Sequence, residues 1–308
     1  MIVTGEKSWL GLVFTWRGSV LARIWRRLAF VTVVSVLETW AEAHDHMQVT
    51  LTPLPFTLVG LALSIFLGFR NNTSYDRYWE GRKLWGRLVN TSRTFTRQVL
   101  TLVEAGGEAA PTGLHRELVR RQMAYVHALR LHLRGSREHA ELAAFIPEAE
   151  VSGLTRESNP PIALLQTQGD RLAAAWRAGR LHPMHLPVLE GTLTELANIQ
   201  GGCERIRSTP IPFGYTLLMH RIVGFYCIAL PFGISGQVGL MTPLVVLLIA
   251  YAFLGLDALG DEIEDPFGTD ANDLPLSQLS RMIEINLRER LGEAELPPPV
   301  QPVDGRLS

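Results

Sequence analysis

The sequence predicts an all-α integral membrane protein, and three observations carry that prediction. Residues 51–69 (LTPLPFTLVGLALSIFLGF) contain no charged side chain, and seven charges follow between Arg70 and Arg87. A stretch of about 20 apolar residues crosses a bilayer as a helix, and a basic flank marks its cytoplasmic end. Three further apolar segments, at about 28–42, 213–234 and 238–256, bring the expected spans to four. Between them the apolar residues recur at helical spacing, and no run alternates as a half-buried strand would.

Whole-chain averages conceal this pattern. At 308 residues, 47% hydrophobic and 19% charged, the composition would suit a large water-soluble protein, because it blends apolar segments with a highly charged middle. The net charge of -1 gives no electrostatic reason for nucleic-acid binding. Cys203 and Cys227 supply neither a disulfide framework nor metal-ligand spacing and read as buried thiols. The N-terminus lacks a compact apolar core with a small-residue cleavage site, so no cleaved signal peptide is expected.

Taken in order, the first span (28–42) follows Arg17, Arg23, Arg26 and Arg27. The loop to the second span carries Glu42, His44, Asp45 and His46 but no Lys or Arg. After the second span come Arg70 to Arg87, and Arg205 and Arg207 precede the third. The loop joining the third and fourth spans (235–239) is again free of Lys and Arg. The positive-inside bias therefore puts both termini and residues 70–210 in the cytosol. The expected division is 1–70 (N-terminal segment and spans one and two), 71–210 (cytosolic helices), 211–258 (spans three and four) and 259–294 (acidic loop and helix). A Pro-rich tail, 295–308, is expected to be disordered. Within 71–210, helices are expected at 75–103, 115–134, 160–178 and 187–207, the first two separated by GGEAAPTG (106–113).

Several side chains stand out. Leu61, Ile65 and Phe69 fall at i, i+4 and i+8, one face of the second span. Gly60, Ala62, Ser64 and Gly68 on the same helix allow close approach by neighbouring helices. His220 and Arg221 are costly in lipid, so they should face protein or water, with Arg221 paired to a carboxylate near the cytosolic end. Arg70 has Asp76 and Glu80 as nearby partners. Asp257, Asp261 and Glu264 share a helical face and are followed by Asp265, Asp270 and Asp273. Acidic loops bind Ca²⁺ when their oxygens converge, but capping and pairing with the Arg-rich helices is the favoured reading. No P-loop, dinucleotide fingerprint or nucleophile–base arrangement is present, which argues against an enzyme.

Three motifs carry a resemblance. RNNTSYDRYWEGRKLWG after the second span, GGCERIRSTPIPFGYT before the third and EDPFGTDANDLPL after the fourth resemble the bestrophin family in its bacterial form, in order and over nearly the whole chain. That resemblance implies a homopentamer of mostly helical subunits around one central pore in the bacterial inner membrane, surrounded by lipid. It implies that Leu61, Ile65 and Phe69 line the narrow neck and that Met184, in RAGRLHPMHLPVL, forms the cytosolic aperture. It also places Asp270 and Asp273 where eukaryotic members build a calcium clasp. Ala271 and Asn272 interrupt that acidic run, so Ca²⁺ is not expected to be required.

The function that follows is a passive channel for monovalent ions, gated where apolar rings dewet. Phe69 is the only aromatic of the neck, and aliphatic Leu61 and Ile65 favour neither sign of charge. Acidic groups at Asp76, Glu80 and 257–273 then favour cations, with an anion channel of the eukaryotic kind as the alternative. Inverted repeats that would mark a secondary transporter are absent. A membrane scaffold using the cytosolic helices is the remaining rival.

Overall fold

The computed structural model describes residues 18–44, 52–104, 111–303 and 305–307, with the isolated positions 2, 8, 9, 11, 15 and 16. Arg17, Asp45 and His46, most of the 106–113 break, Asp304 and Ser308 lie outside the described residues. Regular structure is helical throughout: α1 (Leu21–Ala43), α2 (Pro53–Leu102), α3 (Gly113–Leu133), α4 (Glu148–Leu154), α5 (Pro160–Arg177), α6 (Leu186–Ser208), α7 (Phe213–Val238), α8 (Thr242–Glu264) and α9 (Leu276–Arg290). Short 3₁₀ turns lie at Ala140–Ala144 and Gly239–Met241. Among the described residues the only β pairing is in isolated bridges, such as Val103 with Leu181.

The largest departure from expectation is α2. The second span and the 75–103 helix are one helix of 50 residues, about 75 Å long at 1.5 Å per residue. RNNTSYDRY contains neither Gly nor Pro, so nothing in it breaks the backbone ladder. Thr73 donates its hydroxyl to the Phe69 carbonyl (3.0 Å), meeting its polar need within the helix. Buried Arg70 and Ser74 continue the packed face begun by Leu63 and Leu67, so tertiary packing carries the helix through the polar stretch. Elsewhere the boundaries differ by a few residues, except that α1 begins seven residues before the expected 28 and α8 ends eight residues beyond the expected 256.

The chain forms two compact units. One comprises Thr4–Tyr78 and Pro210–Asp265. Its core joins Ile24, Leu28 and Val31 of α1 to Leu63 and Leu67 of α2, Val223 and Leu230 of α7, and Val246 and Ala250 of α8. Close packing demands Gly233, where a Cβ would overlap the ring of Phe56. By length and composition, the stretches Pro53–Leu102 and Phe213–Glu264 can cross a membrane. Only 22% of the most apolar window in each is buried, so neither is a core helix of a water-soluble body.

The other unit comprises Met1–Val3, Trp79–Thr209 and Pro266–Ser308. Its centre is α3, which packs on α5, α6 and α9. Thr112 caps α3 by accepting from the His115 backbone, and the His115 ring accepts in return from the Thr112 amide. Here buried polar side chains are numerous, and many are paired. Gln122 bonds Ser92 (3.0 Å), Tyr125 donates to the Leu196 carbonyl (2.9 Å), and Arg121 grips Glu150 through both terminal nitrogens (2.6 and 3.1 Å). Within the tail, described residues 296–302 form no regular structure, Val303 pairs its backbone with Arg306, and Leu307 is buried.

Candidate functional site

The geometry of α2 follows from its register. At 100° per residue, Leu63, Leu67, Arg70 and Ser74 cluster on one side of the helix and are all buried within the chain. Leu61, Ile65 and Phe69 project from the opposite side and stay 61%, 50% and 61% exposed. A stripe of bulky apolar side chains facing away from the rest of its chain is a surface suited to lipid or to another protein. Leu54 and Leu58 extend the stripe toward the start of α2.

Directly behind the stripe lies a polar cluster that the sequence did not assign. Arg70 is 1% exposed and turns away from Asp76 and Glu80, the partners expected for it. It instead bonds Asp257 (2.7 Å) and Asp261, two residues one turn apart on α8. Glu80 pairs with Arg205 (2.6 Å). His220 of α7 completes the cluster, with Nδ1 2.6 Å from Asp257 and Nε2 3.3 Å from Asp261. Both ring nitrogens face carboxylate oxygens. Arg70 and His220 thus converge on the two carboxylates, and such pairing is the condition under which burial of charge is tolerated. The carboxylate-facing role expected of Arg221 therefore falls to His220. Arg221 is exposed and has no acidic partner among the described residues.

His220, Asp257 and Asp261 also hold ligand atoms within 4.8 Å of one another, as a metal site would. The Arg70 guanidinium already occupies the carboxylate oxygens, so the donor set suits an ion-pair network rather than a divalent cation. The i, i+4 pair Asp257/Asp261, together with Arg70 at the end of one apolar segment and His220 inside another, is the sequence signal for this cluster. Sequence proximity alone points Arg70 to Asp76 and Glu80, because it carries no information about the meeting of distant helices.

Asp270 and Asp273 lie in the loop between α8 and α9. The Asp273 carboxylate accepts from the Asp270 backbone amide (2.6 Å) and is buried, while Asp270 is exposed. Burial depresses the basicity of nearby Arg134, Arg130 depresses it further, and the Asp273 charge partly restores it. Asp273 thus closes its own loop, and Arg134 and Arg306 line the small cavity of about 120 Å³ beside it. Glu264, grouped with Asp257 and Asp261 by sequence, accepts instead from the Ile211 amide (2.9 Å).

Met184 lies in the turn before α6 and is 73% exposed. Its amide donates to the His182 ring (3.2 Å), and His185 reaches the Leu102 carbonyl (3.3 Å), so the turn is held by neighbours while the thioether stays free. Both cysteines are buried, and burial pushes the Cys203 thiol up to about 12, an unreactive state.

Helices long enough to span a bilayer, with their apolar surface turned outward, define an all-helical membrane protein. Residues 1–289 match the model for the Bacterial/Fungal Bestrophin protein family. The chain is 41% identical over 297 residues to the voltage-dependent anion channel-forming protein RSc3414 of Ralstonia nicotianae, with 96% of each chain covered. It is 39% identical over 306 residues to the voltage-dependent anion channel-forming protein YneE of Escherichia coli K12, with 98% of each covered. Its structure resembles the crystal structure of a bacterial bestrophin homologue from Klebsiella pneumoniae, with TM-score 0.81 and 36% identity over 88% of this chain and 100% of that one. The chain belongs to the bacterial/fungal bestrophin family of ion-channel proteins.

Proposed function

We propose that five copies of this chain surround one central pore in the bacterial inner membrane and pass monovalent ions down their gradient without catalysing a reaction. The observation that carries this reading is the exposed stripe of Leu61, Ile65 and Phe69, set opposite the face of α2 that packs within its own subunit. One chain contributes one such helix, so enclosing a channel takes several copies, and closed symmetry repeats the stripe around an axis. Apolar rings of this kind form a neck that conducts when wet and blocks when dry. Four spans, both termini in the cytosol and a second constriction at Met184 complete the arrangement.

Monovalent cations are the favoured cargo. Arg70, which directly follows Phe69, is buried and paired with Asp257 and Asp261, so it offers nothing to a passing anion. The relatives' name, anion channel-forming, supports a second reading in which chloride is carried. Purified protein in planar bilayers tests both. Unitary currents are expected, with a reversal potential in asymmetric NaCl on the sodium side of zero. Ile65→Ala should raise current several-fold, because it removes three carbons per copy from the neck and a dewetting barrier enters the rate exponentially. Unchanged conductance and open probability in that variant would move the gate elsewhere. Coupled flux without unitary steps would instead indicate a transporter.

A further inference from the structure

We propose that Asp76 sets the sign of the permeant ion: its carboxylates, one from each copy, form a ring just cytosolic of the neck that concentrates monovalent cations and repels anions. The proposal rests on the pore reading given above.

Register places Asp76 there. It follows Ile65 by eleven residues and Phe69 by seven on an unbroken helix, so in projection it lies within about 20° of both and about 10 Å beyond Phe69. It is exposed on the same side as the apolar stripe, opposite buried Arg70 and Ser74. Asn72, also exposed, occupies the intervening turn of this face and brings no charge.

The fate of its charged neighbours singles Asp76 out. From Arg70 to Glu80 the chain carries four charges. Arg70 is consumed by Asp257 and Asp261. Arg77 lies on the flank of the helix, where its Nε donates to the Glu264 carbonyl (3.0 Å). Glu80 is held by Arg205. Among the described residues, Asp76 alone of the four has no ion pair or side-chain hydrogen bond. A packed subunit leaves an unpaired carboxylate directed away from itself at no gain in its own stability. In a ring, the same group acts on ions crossing a narrow space with low-dielectric walls, where a fixed charge raises the local concentration of its counter-ion.

Full-length protein in planar bilayers provides the test. Asp76→Asn should lower the sodium-to-chloride permeability ratio several-fold and reduce conductance most at low ionic strength, because salt screens a fixed charge within about a Debye length. Asp76→Cys allows the charge to be rewritten in one preparation. A sulfonate-bearing thiosulfonate reagent should restore the ratio, and a trimethylammonium one should push it further toward chloride. Native Cys203 and Cys227 are buried, and treatment of the unsubstituted chain controls for them. The Cys arm also keeps the test open if Asp76→Asn does not assemble. An unaltered ratio and low-salt conductance in Asp76→Asn would overturn the proposal, as would an unsubstituted channel reversing at the chloride potential. Ile65→Ala separates the two failures. If it raises current while Asp76→Asn does nothing, the neck stands and the carboxylate ring falls. If neither changes the current, the pore reading falls with it.

Discussion

Among the described residues each unit of this chain buries one arginine, and the contrast between them shows how the surroundings set the use of polar groups. Arg70, in the unit with α1, α7 and α8, meets Asp257 with both side chains almost fully buried, and Asp261 and His220 close the cluster. Around it the core is aliphatic, and the other buried polar side chains of that unit, such as Ser35, Glu38, Thr39 and Ser235, lie apart from this cluster in the chain. Arg121, in the unit centred on α3, is equally buried, but Glu150 is 30% exposed and Glu117 and Arg171 stand beside it at the surface. Polar groups there are spread through the interior, as Gln122 with Ser92 and His127 with Glu284 (3.2 Å) illustrate. A carboxylate that can rehydrate when its partner is lost differs greatly from one that cannot.

Removing each arginine should break the comparison most visibly. Arg70→Met strands Asp257 in an apolar interior, and a loss of about 3–5 kcal/mol is expected, near the whole margin of many folds. Arg121→Met should cost about 1–2 kcal/mol, because water can reach Glu150. Thermal unfolding in detergent reads both, and equal losses would show that burial of the partner is not the deciding variable.

Acid should act chiefly on the α3 unit. The Arg121 hydrogen bond holds the Glu150 carboxyl below its ordinary pKa. Its contribution is complete above the unfolded carboxylate pKa and is lost as pH falls through the lowered, folded one. Burial lowers His132 and His139, so unfolding lets them take up protons below about pH 6.5. These effects share one sign: stability rises with pH. Melting temperature should therefore fall between neutral pH and pH 4, and Arg121→Met should flatten the lower part of that slope. A melting curve indifferent to pH would contradict the assignment.

The smallest effects are expected at the two sites that pack least. Met184→Ala should leave the melting temperature unmoved, since its side chain is largely free, while altering conductance modestly if it lines the aperture. Chelation of calcium should change neither current nor melting temperature, because the Asp273 carboxylate is engaged by its own loop. A calcium response abolished by replacing Asp270 and Asp273 with Ala would reassign them as ligands.

The sequence by itself determined much of this protein. Uncharged runs ending in basic flanks marked its membrane character, and helical periodicity located most of its helices, although α1 and α8 run seven and eight residues beyond their expected limits. The same 3.6-residue period placed Leu61, Ile65 and Phe69 on one face, because periodicity is a local property that side-chain order alone encodes. Tertiary structure decided what depends on distant partners. It fused two expected helices into α2, since packing at Arg70 and Ser74 overrode the weak helix preference of the polar residues between them. It also chose Asp257 and Asp261, nearly two hundred positions away, over Asp76 as partners for Arg70, and gave His220 the place expected of Arg221. Which charges meet is fixed by the meeting of helix faces in three dimensions, and that choice left Asp76 free.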